Sequence, residues 1–204
     1  MAAPYLPSRR TLPLLRVAVQ SCKGCDLYLN ATQAVFGEGP RMARMALVGE
    51  QPGDEEDIQG HPFVGPAGEI LDRALADASI QRPEVYVTNA VKHFKFGERG
   101  KRRLHHKPRI GEVRACQPWL EAEMEVIKPQ VIVCLGATAA QTFFGTKFRL
   151  TQERGVSFPH PWAPHVVATI HPAAILRAPD SAQRHAEYSR FVGDLKGARG
   201  LLGR

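Results

Sequence analysis

Five carboxylates fall within eight residues, Glu50, Asp54, Glu55, Glu56 and Asp57, in the run Gly49-Glu-Gln-Pro-Gly-Asp-Glu-Glu-Asp57. Three chemistries fit such a run. Oxygen donors at this density can hold Mg²⁺ in a nuclease or phosphotransferase. A carboxylate can activate water or accept a proton in a metal-free hydrolase. Acidic residues also decorate helix starts, where the macrodipole favours them. Spacing alone leaves all three open. The second set is Cys22, Cys25, Cys116 and Cys134. In a chain this long they are no disulfide scaffold, so metal or redox use is the expectation. The third set is basic. Between Lys92 and Arg114 stand nine Lys and Arg residues against Glu98 and Glu112, which accounts for the whole net charge of +7. A solvated loop is the plain reading of a charge run. Concentration in one segment that also holds three histidines and two phenylalanines favours a polyanion, and specifically nucleic acid.

These groups need elements to position them. Met45–Gly49, Val85–Thr88, Val131–Leu135 and Val166–Ile170 read as short buried strands. Pro66–Ser79 has apolar residues at helical spacing behind a proline start. Further helices are expected from about Glu112 to Ile127, from Gly136, and from Ala182 to about Leu202. Strand and helix alternate, so the expected fold is a three-layer α/β/α sandwich around a mainly parallel four-stranded sheet. Residues 1–204 read as a single domain, with 1–20 as an N-terminal arm and 93–110 as a basic loop insertion. In such folds ligands bind beyond the carboxyl ends of the strands. The segments there are Glu50-Gln-Pro-Gly-Asp, Asn89-Ala-Val-Lys-His and His171-Pro. The longest apolar stretch, Val131–Ala140, is too short to span a bilayer, and the first ten residues do not resemble a signal peptide. A cytoplasmic monomer without membrane contact is the expectation.

Taken in order, Gly49-Glu-Gln-Pro-Gly-Asp, Gly60-His-Pro-Phe-Val-Gly65, Thr88-Asn-Ala-Val-Lys92 and His171-Pro172 resemble the uracil-DNA glycosylase superfamily, and its iron–sulfur branch most of all. Gln51, where that branch usually carries Ala, and the run Lys101-Arg-Arg-Leu-His105 resemble the UdgX type, which crosslinks to DNA. The resemblance covers nearly the whole chain from Cys22. It implies excision of uracil from single- or double-stranded DNA, after the base is flipped out of the stack. Phe63 would stack on the uracil and Asn89 would read its edge, with Gly49 and Gly53 also contacting substrate. His171 would donate to the uracil oxygen beside the broken bond. Glu50, Gln51 and Asp54 fall with the catalytic residues. His105 would attack C1′ in place of water, with Glu50 fixing its tautomer, and His106 is the neighbouring alternative. Lys101, Arg102, Arg103 and Arg177 would contact the DNA strand.

The family's cluster cysteine after Asn-x-x-Lys is replaced here by His93. Cys134 interrupts an apolar strand, where a free thiol is a small hydrophobe. The resemblance therefore implies a [4Fe–4S] cluster on Cys22, Cys25, His93 and Cys116. A Cys₃His zinc site would suit the same residues. Two other readings remain: a glycosylase that turns over with water as nucleophile, and a non-catalytic nucleic-acid-binding module with a structural metal.

Overall fold

A computed structural model describes residues 1–100 and 102–203. The four apolar runs form parallel strands, β1 (Met45–Gly49), β2 (Tyr86–Asn89), β5 (Val131–Leu135) and β7 (Ala163–Thr169). Their order across the sheet is β2-β1-β5-β7. β1, β2 and β5 are buried at every position, as strands covered on both faces require. Alternate residues feed opposite layers. Met45, Leu47, Val131 and Val133 pack under α3 (Pro66–Asp77) and α8 (Ser181–Gly200). Ala46, Val48, Ile132 and Cys134 pack under α4 (Ile110–Ile127) and α5 (Ala137–Phe144).

The sheet has five strands, not the expected four. β6 (Ser157–His160) pairs antiparallel with β7 at the edge, with a register irregularity between Phe158 and His160. Pro159 sits at that irregularity and explains why the segment does not read as a strand. A proline withholds a ladder donor and is tolerated only at an edge or a bulge.

Two further expectations change. The N-terminal arm contains a helix, α1 (Leu12–Val19), capped by Thr11. Its Leu15 and Val19 are fully buried in a third cluster with Cys22, Cys116 and Trp119. The basic insertion is not a plain loop. It folds into an antiparallel hairpin, β3 (Phe96–Arg99) with β4 (Arg102–His105), turning through Gly100 at φ +61°. Between the main elements lie the short helices α2 (Asp54–Gln59), α6 (Leu150–Glu153) and α7 (Pro172–Leu176). Among the described residues no helix is long and apolar enough to cross a membrane.

Candidate active site

Glu50, Gly136 and His171 follow directly or closely on the carboxyl ends of β1, β5 and β7, and they line one cleft of about 630 Å³. Gln51, Gly53, Glu56, His105 and Arg177 share its wall. His171 caps α7, and its Nδ1 accepts the Ala173 amide at 3.2 Å. Burial is the main reason its pKa falls to about 4, with the Arg177 and His105 charges adding to the fall and Glu50 opposing it. The ring is therefore neutral near pH 7. With Nδ1 accepting, the proton sits on Nε2 and can be donated.

Beside this ring Phe63 and Asn89 form a deeply covered base slot without lining the cleft itself. Phe63 stacks on His171 with centroids 5.9 Å apart and planes 25° from parallel. Phe63 holds φ +59°, a conformation that side chains of this size rarely adopt. Gly68 permits it, since a Cβ there would lie 1.7 Å from the Phe63 carbonyl oxygen. Asn89, 2% exposed, ends β2. Its Nδ2 donates to Glu56 Oε2 at 3.2 Å, and its Oδ1 is buried without a partner among the described residues. A Cβ on Gly49 would fall 2.2 Å from that Oδ1 and 2.8 Å from Phe63 Cζ. Glycine is thus a steric requirement at position 49. Asn89 and Phe63 adjoin the cleft through Glu56 and His171 rather than lining it.

Glu56 is the residue that the sequence did not single out. Its only signal was membership of the acidic run, yet it is 8% exposed while the adjacent Glu55 is exposed. Burial pushes its pKa up to about 7, against hydrogen bonds from the Phe63 amide, Asn89 and the Gly53 amide. Four of the five carboxylates, Asp54, Glu55, Glu56 and Asp57, form the first turn of α2, and Glu50 stands apart at the end of β1. The macrodipole reading of the run therefore describes its position.

The hairpin brings His105 to the wall of the cleft. His105 Nε2 lies 3.3 Å from Glu50 Oε1, with the histidine half-exposed and the glutamate 20% exposed. Burial alone would raise the Glu50 pKa. Hydrogen bonds from His105 and Thr138, with the His105 and His171 charges, outweigh it and leave the carboxyl below its ordinary range. His106 lies elsewhere, its ring filling the space where a Cβ on Gly97 would stand. Gln51 ties both ends of the hairpin. Its Nε2 donates to the carbonyls of Lys95 and His106, and its Oε1 accepts the Lys95 amide.

Arg103, expected to contact the DNA strand, makes contacts within the protein as well. Its guanidinium pairs with Asp57 at 2.7 Å and touches Asp54 Oδ1 at 2.5 Å, over the rings of Phe94 and Phe96. Asp57 is fully buried and also accepts the Thr32 amide, so an unpaired carboxylate there would be costly and Arg103 neutralises it. Asp54 serves the same anchor. Arg102 and Arg177 are exposed, and Lys101 lies outside the described residues.

Cys22 and Cys25 are close enough to Cys116 that their charges would raise its pKa, and Cys22 acts on Cys25 in the same way. Burial is the larger effect, taking Cys116 to about 12. The Trp119 indole N–H donates to Cys22 Sγ and the Lys92 amide to Cys116 Sγ, both at 3.2 Å. Such N–H···S bonds support metal-bound thiolates. His93 follows Lys92 and is 5% exposed, with burial lowering its pKa to about 4 against the Asp57 charge. Cys134 is buried in β5 among apolar side chains, on its own. No three His, Cys, Asp or Glu side chains among the described residues converge as a single ion would need. Iron–sulfur clusters are held by thiolates, supplemented by histidine in some proteins, and the grouped thiols of Cys22, Cys25 and Cys116 fit that chemistry.

The chain matches the family model described as the uracil DNA glycosylase superfamily over residues 36–196. A type-4 uracil-DNA glycosylase of Thermotoga maritima is 41% identical over 186 residues, covering 90% of this chain and 91% of that protein. A type-4 uracil-DNA glycosylase of Archaeoglobus fulgidus is 35% identical, covering 89% and 91%. This chain therefore belongs to the uracil-DNA glycosylase superfamily.

Proposed function

We propose that this protein excises uracil from DNA and that His105 captures the resulting sugar, as in the UdgX type. The observation that carries the second half is the His105–Glu50 pair at 3.3 Å on the wall of the cleft that also holds His171. The first half rests on the relatives and on the slot. A uracil flipped onto Phe63 would present N3–H to the unpaired Asn89 Oδ1. Cytosine has no hydrogen at N3 and would leave two acceptors facing each other, a loss that rejects it strongly. Glu56 holds the amide in the orientation that makes this distinction.

Cleavage leaves the bonding pair on uracil N1, and the neutral His171 donates through Nε2–H to the developing anion. The sugar becomes oxocarbenium-like at C1′. One nitrogen of His105 attacks it while Glu50 accepts the proton of the other. Reversal would have to expel an imidazolate, a poorer leaving group than uracilate, so the reaction stops after one turnover. Lys101, Arg102 and Arg177 would hold the strand. Cys22, Cys25, His93 and Cys116 would hold a [4Fe–4S] cluster, which would tie the Cys22–Cys25 loop to α4 as a structural joint. A cytoplasmic monomer acting on uracil-containing DNA is the consistent setting.

Denaturing electrophoresis after mixing with uracil-containing DNA tests this. Wild type should give a shifted band, Glu50→Gln a slower one, and His105→Ser none. Free abasic DNA without a band from wild type would favour the second reading, turnover with water. A stable band from His105→Ser would overturn the nucleophile assignment.

A further inference from the structure

Lys107 and Thr138 line the catalytic cleft and also a second cavity, of about 280 Å³, between α4 and α5. Thr138 lines the cleft with Glu50 and helps to lower its pKa, so the two spaces share a wall at the reacting centre. The second cavity is built from one face of each helix. Ile110, Val113, Arg114 and Gln117 of α4 have the spacing of a single stripe, as do Thr138, Gln141 and Thr142 of α5, with Gly145 at its C-terminal cap. Helices that face each other normally close over apolar side chains. Here the facing stripes are mostly polar and stand apart.

The wall chemistry indicates the occupant. Lys107 and Arg114 are cations, and no carboxylate lines the cavity among the described residues. Nearby Lys95 and Arg103, by contrast, are neutralised by Glu112, Asp54 and Asp57. Gln117 and Gln141 offer carboxamides, of which Gln141 is steadied through its Nε2 on the Phe148 carbonyl. A carboxamide that both donates and accepts suits the edge of a nucleobase. Ile110 and Val113 offer an apolar surface to its face. Two cations, two carboxamides and an aliphatic side suit a nucleotide, and the volume suits one nucleotide rather than a length of strand. We infer that this cavity binds the nucleotide adjacent to the flipped uridine, its phosphate on Lys107 and Arg114 and its base against Gln117 and Gln141. The inference rests on the glycosylase reading. It adds a dependence on the neighbouring nucleotide that the uracil slot does not supply.

The test is single-turnover uracil release, with enzyme below saturation, from short single-stranded oligonucleotides. In one the 5′ neighbour of the deoxyuridine is replaced by an abasic tetrahydrofuran unit, in another the 3′ neighbour. Wild type should lose about fivefold or more on one of the two, the scale of a good base contact. Gln117→Ala and Gln117→Glu should lower release from the intact oligonucleotide by the same factor and remove its sensitivity to that neighbour. Arg114→Ala should likewise remove sensitivity to a neutral methylphosphonate at the linkage on that side. Equal release from all wild-type substrates overturns the subsite alone, as does an equal loss by the variants on every substrate. No release from any substrate overturns the glycosylase reading, and the subsite with it.

Discussion

Asn89 is 2% exposed at the end of a strand within the main sheet, whereas His105 is half-exposed on a two-stranded hairpin outside it. The base slot is held by packing. Gly49, Phe63, Gly68 and Asn89 approach so closely that one added carbon at either glycine would collide. The hairpin is held by side chains. Gln51 binds both of its ends, and Arg103 reaches from it to Asp57 and Asp54. An isolated hairpin is marginal in water, so these clamps fix where the histidine stands. Excision and capture thus depend on separate supports and should be separable by mutation.

The largest effect is expected in the slot. Gly49→Ala drives a Cβ into Asn89 Oδ1, and His171→Ala removes the donor to the leaving base. Each should lower uracil release by about 10²–10³, the scale of a lost oxyanion donor, and no band can form without release. Near-normal release from Gly49→Ala would show that Asn89 does not read the base. Next comes the hairpin. Arg103→Ala should slow adduct formation by roughly tenfold or more, because small misplacements of a reacting group are expensive, while release changes little. Equal loss of both would show that the hairpin also shapes the slot.

The same contrast governs what could be read from the sequence. The parallel strands were legible because fully buried strands are continuous apolar runs, and their ends placed Glu50, Asn89 and His171 on one rim. β6 was hidden by Pro159, and α1 by a segment rich in Pro and Arg. The hairpin was hidden because its strands, Phe-Gly-Glu-Arg and Arg-Arg-Leu-His, are rich in charge with little apolar pattern. Glu56 was invisible for another reason. Which members of an acidic run turn inward depends on the helix that follows, and only the fold shows that Asn89 needs a partner there.

The cysteines give a third, intermediate test between buried and exposed supports. Cys116→Ser should lose most bound iron, whereas Cys134→Ser should keep its brown colour and iron content at a modest packing cost. His93→Ala should weaken or lose the cluster. Iron analysis with the pattern reversed would place Cys134 among the ligands instead.

The effect furthest from the chemistry is a pH term in stability from Glu56, which tests whether the slot's polar support is as strained as its burial implies. The folded pKa of about 7 lies above the ordinary 4.5. Between those values the native state keeps a proton that the unfolded chain has released, so stability is greatest at low pH and declines as pH rises towards 7. Over the full window this amounts to on the order of 3 kcal/mol. His171, depressed to about 4 by burial, acts in the opposite direction, its contribution being lost as pH falls below 6.5. The wild-type profile therefore mixes two slopes, and subtracting a Glu56→Gln profile isolates one of them. Denaturant unfolding at about pH 5.5 and about pH 8.5 should show the variant gaining on wild type as pH rises, even while its discrimination between uracil and cytosine worsens. That trade would mark Glu56 as retained for orienting Asn89, at a cost in stability. Parallel profiles in the two proteins would mean that the carboxylate is stabilised after all, and the slot would be less strained than its burial suggests.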